Sequence, residues 1–100
     1  MRVRLHPEAR AELQEARRWY YERSPLSAIA FAHAVDNAVS RIAGAPTRYP
    51  LADHGTRRHI LQRFPFNIYY LTSESEILIV AVAHHKRRPG YWTDRVPALK

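Results

Sequence analysis

The chain has 100 residues, with sixteen Lys or Arg against nine Asp or Glu, a net charge of +7 and no cysteine. That length builds one hydrophobic core and leaves no room for a second, and the missing cysteines exclude disulfides, thiolate metal sites and a cysteine nucleophile. No apolar run approaches the ~18 residues of a membrane span, and the charged start Met1-Arg2-Val3-Arg4-Leu5 has no apolar segment behind it, so no signal peptide or anchor is predicted and the cytosol is the expected location.

Arg2-Val3-Arg4-Leu5 alternates with the period of a short strand, over residues 2–5, that buries one face. Pro7 suits the first position of a helix, where its missing N–H costs nothing. Ala9, Leu13, Ala16 and Tyr20 then fall on one stripe, with Glu8, Glu12, Glu15, Arg17 and Arg18 mostly outside it, so a helix is predicted over 7–22. Glu8 and Glu12 also complement the positive end of that helix. Ser24-Pro25 repeats the start signal, and Ala28, Phe31, Val35, Ala38 and Ile42 form the stripe of a second helix, over 25–43, stopped by Gly44. So short a connection makes the two helices an antiparallel hairpin.

Residues 47–55 read as loop, punctuated by Pro50, Asp53 and Gly55. Three strands follow, over 58–64, 66–72 and 76–84, with Pro65 breaking the first from the second and Ser73-Glu74-Ser75 turning the second into the third. The run Ile77-Leu78-Ile79-Val80-Ala81-Val82-Ala83 is apolar on both faces and belongs inside a sheet. A tail over 85–100 completes a single α+β domain, in which the helical hairpin covers one face of a sheet whose last three strands form an antiparallel meander.

The charge is uneven: residues 1–56 carry eight basic and six acidic side chains, residues 57–100 eight and three. Fourteen of the cations are Arg, which grips phosphate and carboxylate through a planar fork. A basic surface of that kind suits nucleic acid, an anionic membrane or an acidic protein partner.

Three blocks of the chain resemble the RelE/ParE superfamily of bacterial toxins. They are His6-Pro7-Glu8-Ala9 through Glu12-Leu13 to Trp19-Tyr20-Tyr21; Arg58 with Arg63-Phe64-Pro65-Phe66-Asn67-Ile68-Tyr69-Tyr70; and Ala81-Val82-Ala83-His84 through Arg87-Arg88-Pro89-Gly90-Tyr91-Trp92. The resemblance implies a RelE-like fold, strand-helix-helix-strand-strand-strand, and a type II toxin bound by the acidic or apolar flexible segment of a cognate antitoxin in a hetero-oligomer. RelE-like members cut messenger RNA on the ribosome, whereas ParE-like members block DNA gyrase. Lysines mark the central strands of the messenger-cutting members, and this chain has none before Lys86. The Pro89-Gly90-Tyr91-Trp92 tail is similar to ParE-like, plasmid-stabilising members, so gyrase inhibition is the expected action, with a ribosome-dependent endoribonuclease as the alternative. A plain nucleic-acid-binding module is disfavoured, since no helix-turn-helix or related signature is present.

Metal-free RNA cleavage needs a base for the 2′-hydroxyl, cations on the phosphate and an acid for the leaving oxygen. Arg58, His84, Arg87 and Tyr91 are the candidates for that chemistry, converging with Arg63, His85 and Arg88 on the uncovered face of the sheet. Arg63, Lys86, Arg88 and Trp92 are expected to contact the target, and Trp19, Tyr20 and Tyr21 the antitoxin, or else to brace the helices. Each assignment has a plainer rival. Arg58 and Arg63 face opposite sides of a regular strand, the adjacent His84 and His85 diverge, and Trp92 fits a core anchor closing the sheet edge. The scattered histidines have no ligand spacing, so no metal or cofactor is expected.

Overall fold

In the computed structural model, which describes residues 1–97, each of the two α-helices begins at a proline. The first helix, α1, spans Pro7–Arg23, and its cap is the side chain of His6, whose Nδ1 accepts the Glu8 N–H at 3.1 Å. The second, α2, spans Pro25–Gly44 and is capped by Ser24, whose Oγ accepts the Ser27 N–H at 3.3 Å. The Ser24 N–H in turn donates to Tyr20 O at 2.8 Å, so one residue ends α1 and starts α2. Both helices therefore run within a residue of the predicted bounds.

Four strands form one sheet: β1 (Arg2–Leu5), β2 (Arg57–Ile60), β3 (Phe66–Thr72) and β4 (Glu76–His84), in the order β1-β4-β3-β2. The doubly apolar β4 lies inside the sheet, as its composition requires. It pairs antiparallel with β3 and parallel with β1, and β2 closes the meander antiparallel to β3. One predicted boundary is corrected: the strand expected over 58–64 ends at Ile60. Residues 61–65 turn away, closed by the Leu61 N–H donating to Phe66 O at 2.9 Å, with Arg63 in the left-handed region at φ 71°. Arg58 and Arg63 therefore do not share a strand.

Between Tyr69 and Tyr70 the β3–β4 register slips: Tyr69 faces Ala81, but Tyr70 faces Ile79, leaving Val80 as the extra residue of a bulge. A bulge reverses the parity of everything after it. Ile77 and Ile79 face the helices before it, and Val82 and His84 face them after it. Without the bulge His84 would lie on the opposite face from Ile79.

Two layers of core result. On the helical side Ala9, Ala16, Phe31, Val35, Ala38 and Ile42 pack on Phe66, Ile68, Tyr70, Ile77, Ile79 and Val82. Buried Tyr70 stays satisfied by donating its hydroxyl to Pro46 O at 2.6 Å. On the other side Val80, Ala81 and Ala83 are covered by Trp92, whose ring lies 4.5 Å from that of Tyr69. The face expected to be open is thus partly roofed by the tail, whose last three residues lie outside those described. No helix among the described residues is long and apolar enough to cross a membrane.

Candidate functional site

The tail leaves β4 through two tight reversals, Arg87 N–H to His84 O at 3.0 Å and Tyr91 N–H to Arg88 O at 3.2 Å. Gly90 supplies the positive φ (74°) of the second, a conformation that glycine adopts without strain. This brings Tyr91 and Arg95 back against α1, where both meet Glu12. The Glu12 carboxylate accepts the Tyr91 hydroxyl, two Arg95 N–H groups at 2.9 and 3.0 Å, and the Val82 N–H at 3.0 Å. The reason lies in the sheet. β1 stops at Leu5, opposite Ile79, so the outer edge of β4 beyond that point has no strand to pair with. Glu12 takes the orphan Val82 N–H and Arg95 donates to Val80 O at 3.2 Å, so side chains finish what β1 leaves open.

Between α1, the end of β4 and the tail lies a groove of about 410 Å³. Glu12, Glu15, Ala16, Trp19 and Tyr20 form its helical wall, Phe66, Val82 and His84 its floor, and Lys86, Arg87 and Tyr91 its far wall. The Arg87 guanidinium lies 3.9 Å from the Tyr91 ring centroid, a cation–π contact that fixes both. His84 stands edge-on to Phe66 at 5.0 Å, and its Nδ1 accepts the Lys86 N–H at 3.0 Å. With that lone pair occupied, a neutral His84 carries its proton on Nε2, which makes that nitrogen a donor and not a base. Burial, then the hydrogen bond and charge of Glu12, hold the Tyr91 phenol well above its usual pKa.

The groove brings together three of the four residues assigned to chemistry, His84, Arg87 and Tyr91, but on the helical side of the sheet, which corrects the expected convergence on its open face. Arg58 is on the other side: it faces Tyr69 across the strands, while its neighbour His59 faces Ile68 in the helical core. His85 also points away, bonded through Nε2 to Asn67 Oδ1 at 2.9 Å. Arg63 lines a different cavity, beside α2, and Arg88 a third concavity with His6, Glu8 and Asp94. Trp92, expected to meet the target, is only 2% exposed and serves the core instead. Of the aromatic trio on α1, Trp19 is 51% and Tyr21 62% exposed, whereas Tyr20 packs between Phe31 and Phe64 as a brace. Helical residues and cationic tail residues thus share one groove.

Sequence reasoning missed Glu12, which it placed on the polar side of α1. A signal was present: Glu12 follows Ala9 by three residues and precedes Ala16 by four, the spacing of a helix's buried edge.

Two histidines set an acid limit on stability. Burial lowers the pKa of His59, helped by the Arg41 charge, and lowers that of His84, helped by Lys86 and His85. Each therefore binds a proton more readily unfolded than folded. Their contribution is complete above the ordinary value of ~6.5 and is lost as pH falls through the depressed folded values. The urea midpoint should decline between pH 7 and 5, and the double substitution His59→Gln, His84→Gln should flatten that decline. A midpoint equally steep in the double variant would refute it.

The chain matches the family model described as ParE toxin of type II toxin-antitoxin system, parDE, over residues 3–89. Among solved structures it is similar to a chain of the chromosomal ParDE TA system from P. aeruginosa, with a TM-score of 0.73 and 20% identity over 84% of this chain and 95% of that one. At that identity the likeness concerns the fold, and it agrees with the α+β arrangement of two helices and a four-stranded sheet. No curated protein matches the chain in sequence.

Proposed function

This chain belongs to the ParE toxin family of type II toxin–antitoxin systems, and we propose that it arrests growth by binding and inhibiting DNA gyrase until a cognate antitoxin neutralises it. One observation carries the choice of a binding toxin over an RNA-cutting one: the four residues that metal-free cleavage would draw on do not form a working set. The acceptor nitrogen of His84 is occupied by Lys86 N–H, the Tyr91 proton is held by Glu12, and Arg58 lies across the sheet. General acid–base chemistry needs a free base and a transferable proton at one place.

The same surface suits protein recognition. Lys86, Arg87 and Arg88 are exposed side by side at the exit of β4, a cationic edge for an acidic patch of the target. The groove beside them, apolar along Trp19 and Phe66 and cationic at Lys86 and Arg87, is the seat in this reading for an acidic, apolar antitoxin segment in a hetero-oligomer.

Induction in a bacterial host, with label incorporation into DNA and protein followed in one culture, tests the proposal. DNA synthesis should stop first, within minutes, and purified protein should block supercoiling by gyrase. Replacing Lys86, Arg87 and Arg88 together with Ala should abolish that block while the fold is retained. An early stop in translation with cleaved messenger would instead establish the endoribonuclease and discard the gyrase reading.

A further inference from the structure

Three carboxylates of α1, Glu8, Glu12 and Glu15, follow the i, i+4, i+7 spacing that lines up one side of a helix. That row faces the tail, and its middle member closes on Arg95 at 2.9 Å. On either side of this pair the charges stand open. Glu8 shares a concavity with Arg88, and Glu15 shares the groove with Lys86 and Arg87. None of these joins an ion pair among the described residues, where the pairs are Arg4–Glu76 and Arg95–Glu12. Arg18, three residues beyond Glu15, does not pair with it either.

Built contacts keep the two walls of the groove apart. Arg87 rests on the Tyr91 ring at 3.9 Å, and the Tyr91 hydroxyl is bound to Glu12. The Lys86 backbone is fixed by its N–H on His84 Nδ1 at 3.0 Å. Glu12 is itself fully engaged, with the Tyr91 hydroxyl, two Arg95 N–H groups and the Val82 N–H on its two oxygens. Glu15 is therefore the carboxylate of the groove lining that is left for a partner. The floor between the walls is apolar, with Phe66 and Val82 only 7% and 3% exposed. An occupant that covers this floor takes water from the charges beside it, so a wall left unmatched costs free energy.

We propose that Glu15 selects the antitoxin: the segment seated in this groove sets a basic residue against Glu15, acidic residues against Lys86 and Arg87, and an apolar side chain on the floor between them. A segment acidic throughout would place a carboxylate against Glu15 and be disfavoured by like charge. A wholly basic one would meet Lys86 and Arg87 in the same way. The opposed walls thus admit a segment of mixed sign in one orientation, because complementary charge fixes register and suppresses wrong partners. This role of Glu15 rests on the reading of the groove as the antitoxin seat.

The test measures, by calorimetry, the affinity of the purified full chain for its cognate antitoxin, the purified product of the adjoining reading frame. Glu15→Lys should weaken binding about tenfold or more, and Glu15→Gln by less. Each Lys and Arg of the antitoxin is then replaced in turn with Glu. One of these changes should weaken binding to the unaltered chain and restore binding to Glu15→Lys. Trp19→Ala and Lys86→Glu test the seat itself, and each should weaken binding about tenfold or more. If neither does, the groove is not the seat, and the role of Glu15 falls with it. If either does but Glu15→Lys does not, or if no antitoxin variant restores Glu15→Lys, the seat stands and the selection by Glu15 is overturned. Sedimentation of the free chain covers the other occupant: a dimer that Glu15→Lys dissolves would place a second copy in the groove and overturn the antitoxin contact.

Discussion

Replacing Glu12 with alanine is expected to destabilise the protein by about 2–4 kcal/mol, which lowers Tm by roughly 10–25 °C in a domain of this size. The substitution removes one carboxylate and strands three groups: the Arg95 guanidinium, the Tyr91 hydroxyl and the Val82 N–H. The Glu12 and Arg95 side chains are 15% and 12% exposed, so their pairing is screened far less than a surface ion pair, though not as little as a fully buried one. Glu12→Gln keeps an acceptor and should lose about half as much. Arg95→Leu combined with Glu12→Ala should recover part of the loss, because a pair of apolar residues leaves no charge unpaired. Urea unfolding of the two single variants and the double variant measures the coupling. A loss below about 1 kcal/mol for Glu12→Ala, or strictly additive losses, would show that the carboxylate is not the hub described.

Trp92→Ala carries the other large effect, a loss of about 3–5 kcal/mol for emptying a buried indole site. Trp92 fills the space under Val80, Ala81 and Ala83 and lies against Tyr69, and among the described residues it is the tail's fully buried anchor on the sheet, with Tyr91 and Val96 only partly buried beside it. Trp19→Ala should cost no more than about 0.5 kcal/mol, since that side chain is mostly exposed, although it removes the ring on which Arg23 rests. The contrast between the two tryptophans is the measurement, read as denaturant midpoints of the two variants. Trp92→Phe should stay folded and should still arrest growth. A folded Trp92→Phe protein that no longer arrests growth would return Trp92 to the target-contacting set.

Both variants bear on function because they act on the placement of the tail. Arg87 rests on Tyr91, and Tyr91 is held by Glu12, so the cationic edge proposed to meet gyrase is fixed to α1 through one carboxylate. Glu12→Ala and Trp92→Ala, unlike Trp92→Phe, should therefore reduce growth arrest without touching a residue proposed to contact the target. Substitutions at Lys86 and Arg88, which are exposed, should reduce it at unchanged stability.

Much of the architecture was legible in residue order. Proline after a capping residue marked both helix starts, the stripe from Ala28 to Ile42 marked the buried face of α2, and the doubly apolar run marked β4 as an inner strand. These signals are local: each arises from neighbours within a turn of helix or a few residues of strand, where backbone geometry alone dictates spacing. The three family-like blocks were legible for the same reason, and the match over residues 3–89 agrees with them.

The site was less legible, because its members are joined by distances that no periodicity records. Whether His84 faces the helices depends on one unpaired residue, Val80, four positions earlier, and a bulge is decided by how β3 and β4 settle against the core. Whether Glu12 is a surface charge or a buried hub depends on where β1 stops and on a tail about eighty residues downstream folding back to meet it. Arg63 left the strand because Pro65 ended the pairing early, which also placed it beside Arg41 and His59 rather than beside Arg58. Residue order was enough for the helices, the inner strand, the basic second half and the family. Which charged side chains meet was settled by the fold, because the energy of a buried charge depends on partners brought near by the whole chain and not on its neighbours along it.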